Sequence, residues 1–148
     1  LGPVRFRIPA GDPDYAASAT YTFEKDTLIN AMMPHMHYRG KKVLYKLLFE
    51  DGTEETLLSV PDYDFNWQTS YRFKEPKAVP AGTKVKITGW WDNSVDNPTN
   101  PDPTIDVTFG EATHEEMLFG WISFTNADED HTSTHRVSFR DDVESSDD

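Results

Sequence analysis

The sequence contains no cysteine. That absence excludes disulfide scaffolds, zinc ribbons, iron–sulfur clusters, c-type haem attachment and thiol catalysis, and it leaves the redox compartment open. Bases are scarce too: 14 Lys and Arg stand against 26 Asp and Glu, a formal net charge of −12. A balance of that sign disfavours nucleic acid and anionic membrane surfaces as partners. No apolar run approaches the roughly 20 residues that cross a bilayer as a helix, so no membrane insertion is expected. No signal peptide is visible. Helical periodicity is nearly missing as well.

What is present is a single domain's worth of chain. At 148 residues it can bury a core without cross-links. We assign residues 1–140 to one domain and residues 141–148 to an acidic tail, solvated or disordered, with five acids and no base. The chain opens on Leu1 in a segment already patterned as a strand (Val4, Phe6, Ile8), as expected of a fragment of a longer protein or a processed mature chain. Short β-rich runs recur between Gly, Pro, Asp and Asn clusters. Strands are expected at Val4–Ile8, Ala19–Glu24, Leu28–His37, Lys42–Phe49, Glu54–Val60, Ser70–Lys74, Lys84–Trp91, Thr104–Phe109, Glu116–Thr125 and Arg136–Phe139. Asp51-Gly52 reads as a tight hairpin turn, and Pro80-Ala81-Gly82-Thr83 as a turn feeding the next strand. Residues 92–103 hold three prolines and read as a surface loop. About 8–10 short strands without a helix predict an all-β, antiparallel β-sandwich.

The stretch with most chemistry is Pro34-His35-Met36-His37. Residues two apart on a strand share a face, with Cβ atoms roughly 6–7 Å apart. Two imidazoles can converge from there on one metal, each about 2 Å from it. If Met117 supplies a thioether, the set becomes two imidazoles and a soft sulfur, which points to redox-active copper. The plainer reading of two same-face histidines is a pair of half-exposed residues with hydrogen-bonded rings. Pro34 before the pair and Gly40 after it place the histidines where the strand ends, open to a substrate.

Other candidates carry less. His114, three residues before Met117, faces away from it on a strand and reads as supporting or exposed. His131 and His135 have i,i+4 spacing, but Thr132-Ser133-Thr134 between them gives poor helix support, so a solvated loop is expected. The Asp and Asn residues of 92–102 offer oxygen ligands for calcium, although a turn-rich loop explains the same composition. Trp67, Trp90, Trp91 and Trp121 read as core and rim aromatics. Glu115 and Glu116 have no paired acid for proton transfer, and a surface turn is the preferred reading.

Four segments together resemble one family: His35-Met36-His37-Tyr38-Arg39-Gly40-Lys41, Pro61-Asp62-Tyr63-Asp64-Phe65-Asn66-Trp67-Gln68, Asp92-Asn93-Ser94 with Asn97-Pro98 and Asn100-Pro101, and Gly110…Thr113-His114-Glu115-Glu116-Met117. They look like the C-terminal, catalytic-copper domain of the copper type II, ascorbate-dependent monooxygenases, such as the peptidylglycine α-hydroxylating and dopamine β-monooxygenases, and most like a bacterial branch. The likeness spans about residues 3–125. It implies a jelly-roll-like sandwich, with His35, His37 and Met117 as copper ligands. It also implies dioxygen chemistry at a substrate C–H bond, with ascorbate as reductant. A second, electron-transfer copper held by three histidines belongs to a preceding domain of that family. The resemblance further implies export to the periplasm or outside the cell.

The chain departs from the family's pattern in places that bear on substrate. Met33 stands where peptidylglycine enzymes carry a carboxylate-gripping arginine, and Phe119 and Trp121 stand where they carry asparagine and tyrosine. Met33, Phe119 and Trp121 are thus candidate substrate-lining residues for a small or apolar organic molecule. Outside His35 and His37 only His114, His131 and His135 remain, and none forms a second histidine pair. The expectation is a monooxygenase domain that needs an upstream or partner copper domain. The alternatives are a copper-binding or electron-transfer module without catalysis, or an accessory structural domain.

Overall fold

The computed structural model describes residues 1–3 and 5–129. Nine strands follow one another: β1 (Arg7–Ile8), β2 (Tyr15–Thr22), β3 (Thr27–Met36), β4 (Gly40–Leu48), β5 (Glu54–Val60), β6 (Tyr71–Val79), β7 (Lys84–Trp91), β8 (Val107–Thr108) and β9 (Leu118–Asn126). There is no helix among the described residues, and so none long and apolar enough to cross a membrane. Every expected strand up to residue 126 has a counterpart, and Glu54–Val60 and Lys84–Trp91 match at both ends. The run read as Thr104–Phe109 keeps only two residues of pairing, and that read as Ser70–Lys74 extends to Val79. The strand expected at Arg136–Phe139, His131, His135 and the acidic tail lie outside the described residues.

The strands form a four-stranded antiparallel sheet in the order β2-β7-β4-β5 and a three-stranded one in the order β6-β3-β9, with a two-stranded ribbon β1-β8. This is an antiparallel β-sandwich. Alternation explains its core. Val43, Tyr45 and Leu47 of β4, Val85, Ile87 and Trp91 of β7, Met32 and Met36 of β3 and Leu118 of β9 are buried and form one cluster between the sheets. The β4–β5 hairpin turns where the Asp-Gly signal places it. The Phe49 and Gly52 N–H groups donate to Thr53 O and Phe49 O at 2.9 and 3.1 Å, and Gly52 has φ 85°.

Proline in a central strand normally leaves a gap in the ladder. Here Pro34 lies opposite Gly120. Gly120 turns its own N–H away, donating to Leu1 O at 2.6 Å, and its carbonyl accepts from the Leu1 amino group at 3.2 Å. The missing donor of Pro34 therefore leaves no Gly120 group without a partner.

One buried polar atom breaks the pattern. Tyr45 is fully buried, and its hydroxyl has no hydrogen-bond partner among the described residues. A buried hydroxyl without a partner costs stability that a phenyl ring does not. Tyr45→Phe is expected to leave the urea midpoint unchanged or raise stability by up to about 1 kcal/mol. A loss larger than that in equilibrium unfolding refutes the absence of a partner.

Candidate metal centre

The histidines sit at the corner where the chain leaves one sheet for the other. β3 ends at Met36, a turn closes with Gly40 N–H donating to His37 O at 3.0 Å, and β4 begins in the opposite sheet. The turn is tight because Gly40 has no side chain: a Cβ there would lie 2.8 Å from both Met36 Cβ and Tyr63 Cδ1. Tyr63 braces the same corner. Its hydroxyl accepts from Met36 N–H at 2.9 Å and donates to Met36 O at 3.0 Å.

Strand alternation points Met36 inward and His35 to the other face, and His37, one residue past the strand, is buried beside His35. Their rings lie edge to face with centroids 5.2 Å apart. The β3–β9 register pairs Met33 with Trp121, His35 with Phe119 and Met36 with Leu118. The ladder ends there; beyond it His37 N–H donates to Glu116 Oε2 and the His37 ring meets Glu115 O, so the segment carrying Met117 lies against His37. Met33, His35, Phe119 and Trp121 share the outer face, while His37 and Met117 are buried. Phe119 and Trp121 rings are 6.1 Å apart, and Trp121 remains more than half exposed.

Hydrogen bonds leave the outer ring nitrogens as candidate donors. His37 Nδ1 lies 3.2 Å from Glu115 O, and His35 Nδ1 lies 2.5 Å from Gln68 Oε1. A carbonyl oxygen can only accept, so each Nδ1 carries the proton and each Nε2 a lone pair. Metal-bound histidines are commonly held in this way through the second ring nitrogen. Among the described residues no group of three or more His, Cys, Asp or Glu is placed to hold a metal. The two imidazoles lie close together, and a methionine follows directly on the residue that His37 N–H bonds; nitrogen and sulfur donors are softer than the oxygen ligands of a hard cation.

Beneath the histidines lies a buried polar network that the sequence reading missed. Glu116, read there as part of a surface turn, is fully buried. Its Oε1 accepts from Arg39 N–H at 2.6 Å, and its Oε2 accepts from His37 N–H at 3.1 Å and Trp91 Nε1–H at 2.9 Å. Burial pushes its carboxyl up to about 7, against the pull of those three donors and of the Arg39 charge. Every partner donates, so the hydrogen bonds favour the carboxylate form while burial opposes it. No hydrophobic period marks Glu116; its only signal was its place immediately before Met117.

Arg39 is also fully buried. Its guanidinium donates to Asn93 Oδ1 and His114 O, both at 2.8 Å, and to Asp102 O at 3.4 Å. Asn93 passes the link on, donating to Pro9 O at 2.9 Å and Ile105 O at 3.0 Å. The 92–103 segment is consequently not a plain surface loop, since Asn93 and Ser94 are buried. Within it Asp102 Oδ1 accepts from Thr104 N–H, and Asp92 Oδ1 from Ser94 N–H, both at 2.9 Å. The side chain of His114 is exposed while its carbonyl serves Arg39. Of the tryptophans, Trp91 is core, Trp90 lies under Lys42 Nζ at 4.6 Å, and Trp67 is 71% exposed.

Comparison with known proteins adds nothing to this geometry: no protein-family model and no curated protein matches the chain.

Two outcomes test the centre without metal. Glu116→Ala strips a buried acceptor from three donors, and a loss above about 3 kcal/mol is expected in urea unfolding, with Glu116→Gln losing about 1–3 kcal/mol. A loss under 1 kcal/mol for Glu116→Ala contradicts the network. Burial holds His37 below the ordinary 6.5; the Glu115 and Ala112 carbonyls oppose this and neighbouring His35 adds to it. A folded value below the unfolded one contributes stability above pH 6.5 that is lost as pH falls through the folded value. An NMR titration of the His37 ring is expected to show its midpoint below 6.5.

Proposed function

We propose that this chain is a mononuclear copper domain, the catalytic half of a two-copper, ascorbate-dependent monooxygenase that hydroxylates a C–H bond with dioxygen. The observation that supports the reading is the close pairing of the His35 and His37 rings, 5.2 Å apart at the end of β3, where His37 N–H is hydrogen-bonded to Glu116, the neighbour of Met117. The resemblance of the segments around these residues to the copper type II monooxygenases supports it. Copper, when bound, supplies one-electron redox chemistry and a place for dioxygen to react. His35 and His37 would hold the ion through ring nitrogens, with Met117 as the sulfur donor, a set suited to the reduced metal. Met33, Phe119 and Trp121 form an apolar platform beside it. In a site where Met33 occupies the position of the carboxylate grip, a small apolar organic substrate is the better fit. The electron-transfer copper belongs to an upstream or partner domain, ascorbate is the reductant, and the setting is exported and bacterial by the same resemblance.

A second reading is favoured by the histidine count. The chain has five histidines, and only His35 and His37 form a close pair in its sequence. A copper-binding or electron-transfer module that hydroxylates nothing by itself fits that count, as does an accessory domain.

One copper per chain is expected by metal analysis after Cu(I) loading and desalting, falling at least tenfold in occupancy for His35→Ala and His37→Ala. Variants that retain the parent's copper would falsify the ligand assignment. Incubating the copper-loaded chain with ascorbate, oxygen and a panel of small or apolar molecules tests the second reading: hydroxylated product from the chain alone overturns a module that only binds copper.

A further inference from the structure

The two histidines are oriented by partners of very different kinds. His37 is 3% exposed and its Nδ1 meets a backbone carbonyl, Glu115 O, which no substitution of a side chain removes. His35 is half-exposed, and its Nδ1 meets the side chain of Gln68, from the exposed segment between β5 and β6. Gln68 is not free to turn its amide. Its Nε2 donates to Phe65 O at 2.9 Å, and a flipped amide would set Oε1 against that carbonyl. The segment is itself folded on Asp64, whose Oδ1 accepts from Asn66 N–H at 2.8 Å and whose carbonyl accepts from Trp67 N–H at 3.0 Å. The Gln68 oxygen is thereby presented to His35 as an acceptor only.

From this we infer that Gln68 is the positioning residue of the centre. It holds His35 in the Nδ1–H tautomer and leaves the Nε2 lone pair for a ligand bond beside His37, whose ring centroid lies 5.2 Å away. Free histidine prefers the opposite tautomer, with the proton on Nε2, where it blocks a ligand bond. Without Gln68, His35 spends most of its time in that form and in other ring orientations, while His37 keeps its backbone partner. The inference rests on the copper reading for the purpose of the lone pair, but the tautomer itself is a property of the metal-free chain.

The test compares the parent chain with Gln68→Leu and Gln68→Glu. Gln68 is exposed, so both are expected to fold like the parent. Long-range nitrogen–proton NMR of the metal-free proteins at pH 8 should show His35 as Nδ1–H in the parent and in Gln68→Glu, which keeps an acceptor. In Gln68→Leu it should show the Nε2–H form, with His37 unchanged in all three. Cu(I) affinity should fall about 10–100-fold in Gln68→Leu and recover in Gln68→Glu. An unchanged His35 tautomer in Gln68→Leu overturns the inference, and so does a switched tautomer with unchanged copper affinity. If the tautomer switches while the parent binds no copper, the copper reading falls and Gln68's control of the ring stands.

Discussion

The candidate site depends on one carboxylate. Glu116 accepts the main-chain N–H groups of His37 and Arg39, the two residues that turn the chain from one sheet into the other, and it also holds the indole of Trp91. Those N–H groups lie beyond the end of β3, where no ladder partner exists, and burial denies them water. A side chain from just before β9 takes the place of both. The same residue precedes Met117 directly, so the proposed sulfur ligand and the second histidine are joined through a single buried acid.

Arg39 extends that tie outward. A fully buried guanidinium is unfavourable unless its donors are satisfied, and here two loops supply the acceptors: Asn93 and the carbonyl of Asp102 from one, the carbonyl of His114 from the other. The result is an arrangement in which loops far apart in sequence are fixed relative to the histidine turn. Rigid support of this sort is what a metal centre needs, because ligand directions must hold within narrow limits when the ion is absent.

How much of this could be read in the sequence follows from periodicity. Strands such as Lys84–Trp91 alternate cleanly between buried and exposed positions, so their bounds were legible, and the HxH spacing placed both rings on one face before any coordinates. The pairing of β3 with β9 was not legible, because register between strands 80 residues apart leaves no mark in either; only the family resemblance linked Met117 to the histidines. Glu116 and Asn93 were misplaced for a related reason. A polar residue in an irregular segment is read as solvated, and its burial is decided by long-range partners that composition does not show. Gln68 escaped notice likewise, as an ordinary exposed residue whose role depends on the ring opposite it.

Pro34 gives the corner a further property. Because it faces Gly120 where the Gly120 groups point away from β3 to Leu1, the proline removes no bond from the β3–β9 ladder, whose register runs without a shift from Ala31 to Met36. A fixed backbone angle inside an unbroken register leaves the end of β3 little freedom to bend, so His35 keeps its place on the sheet whether or not anything is bound beside it.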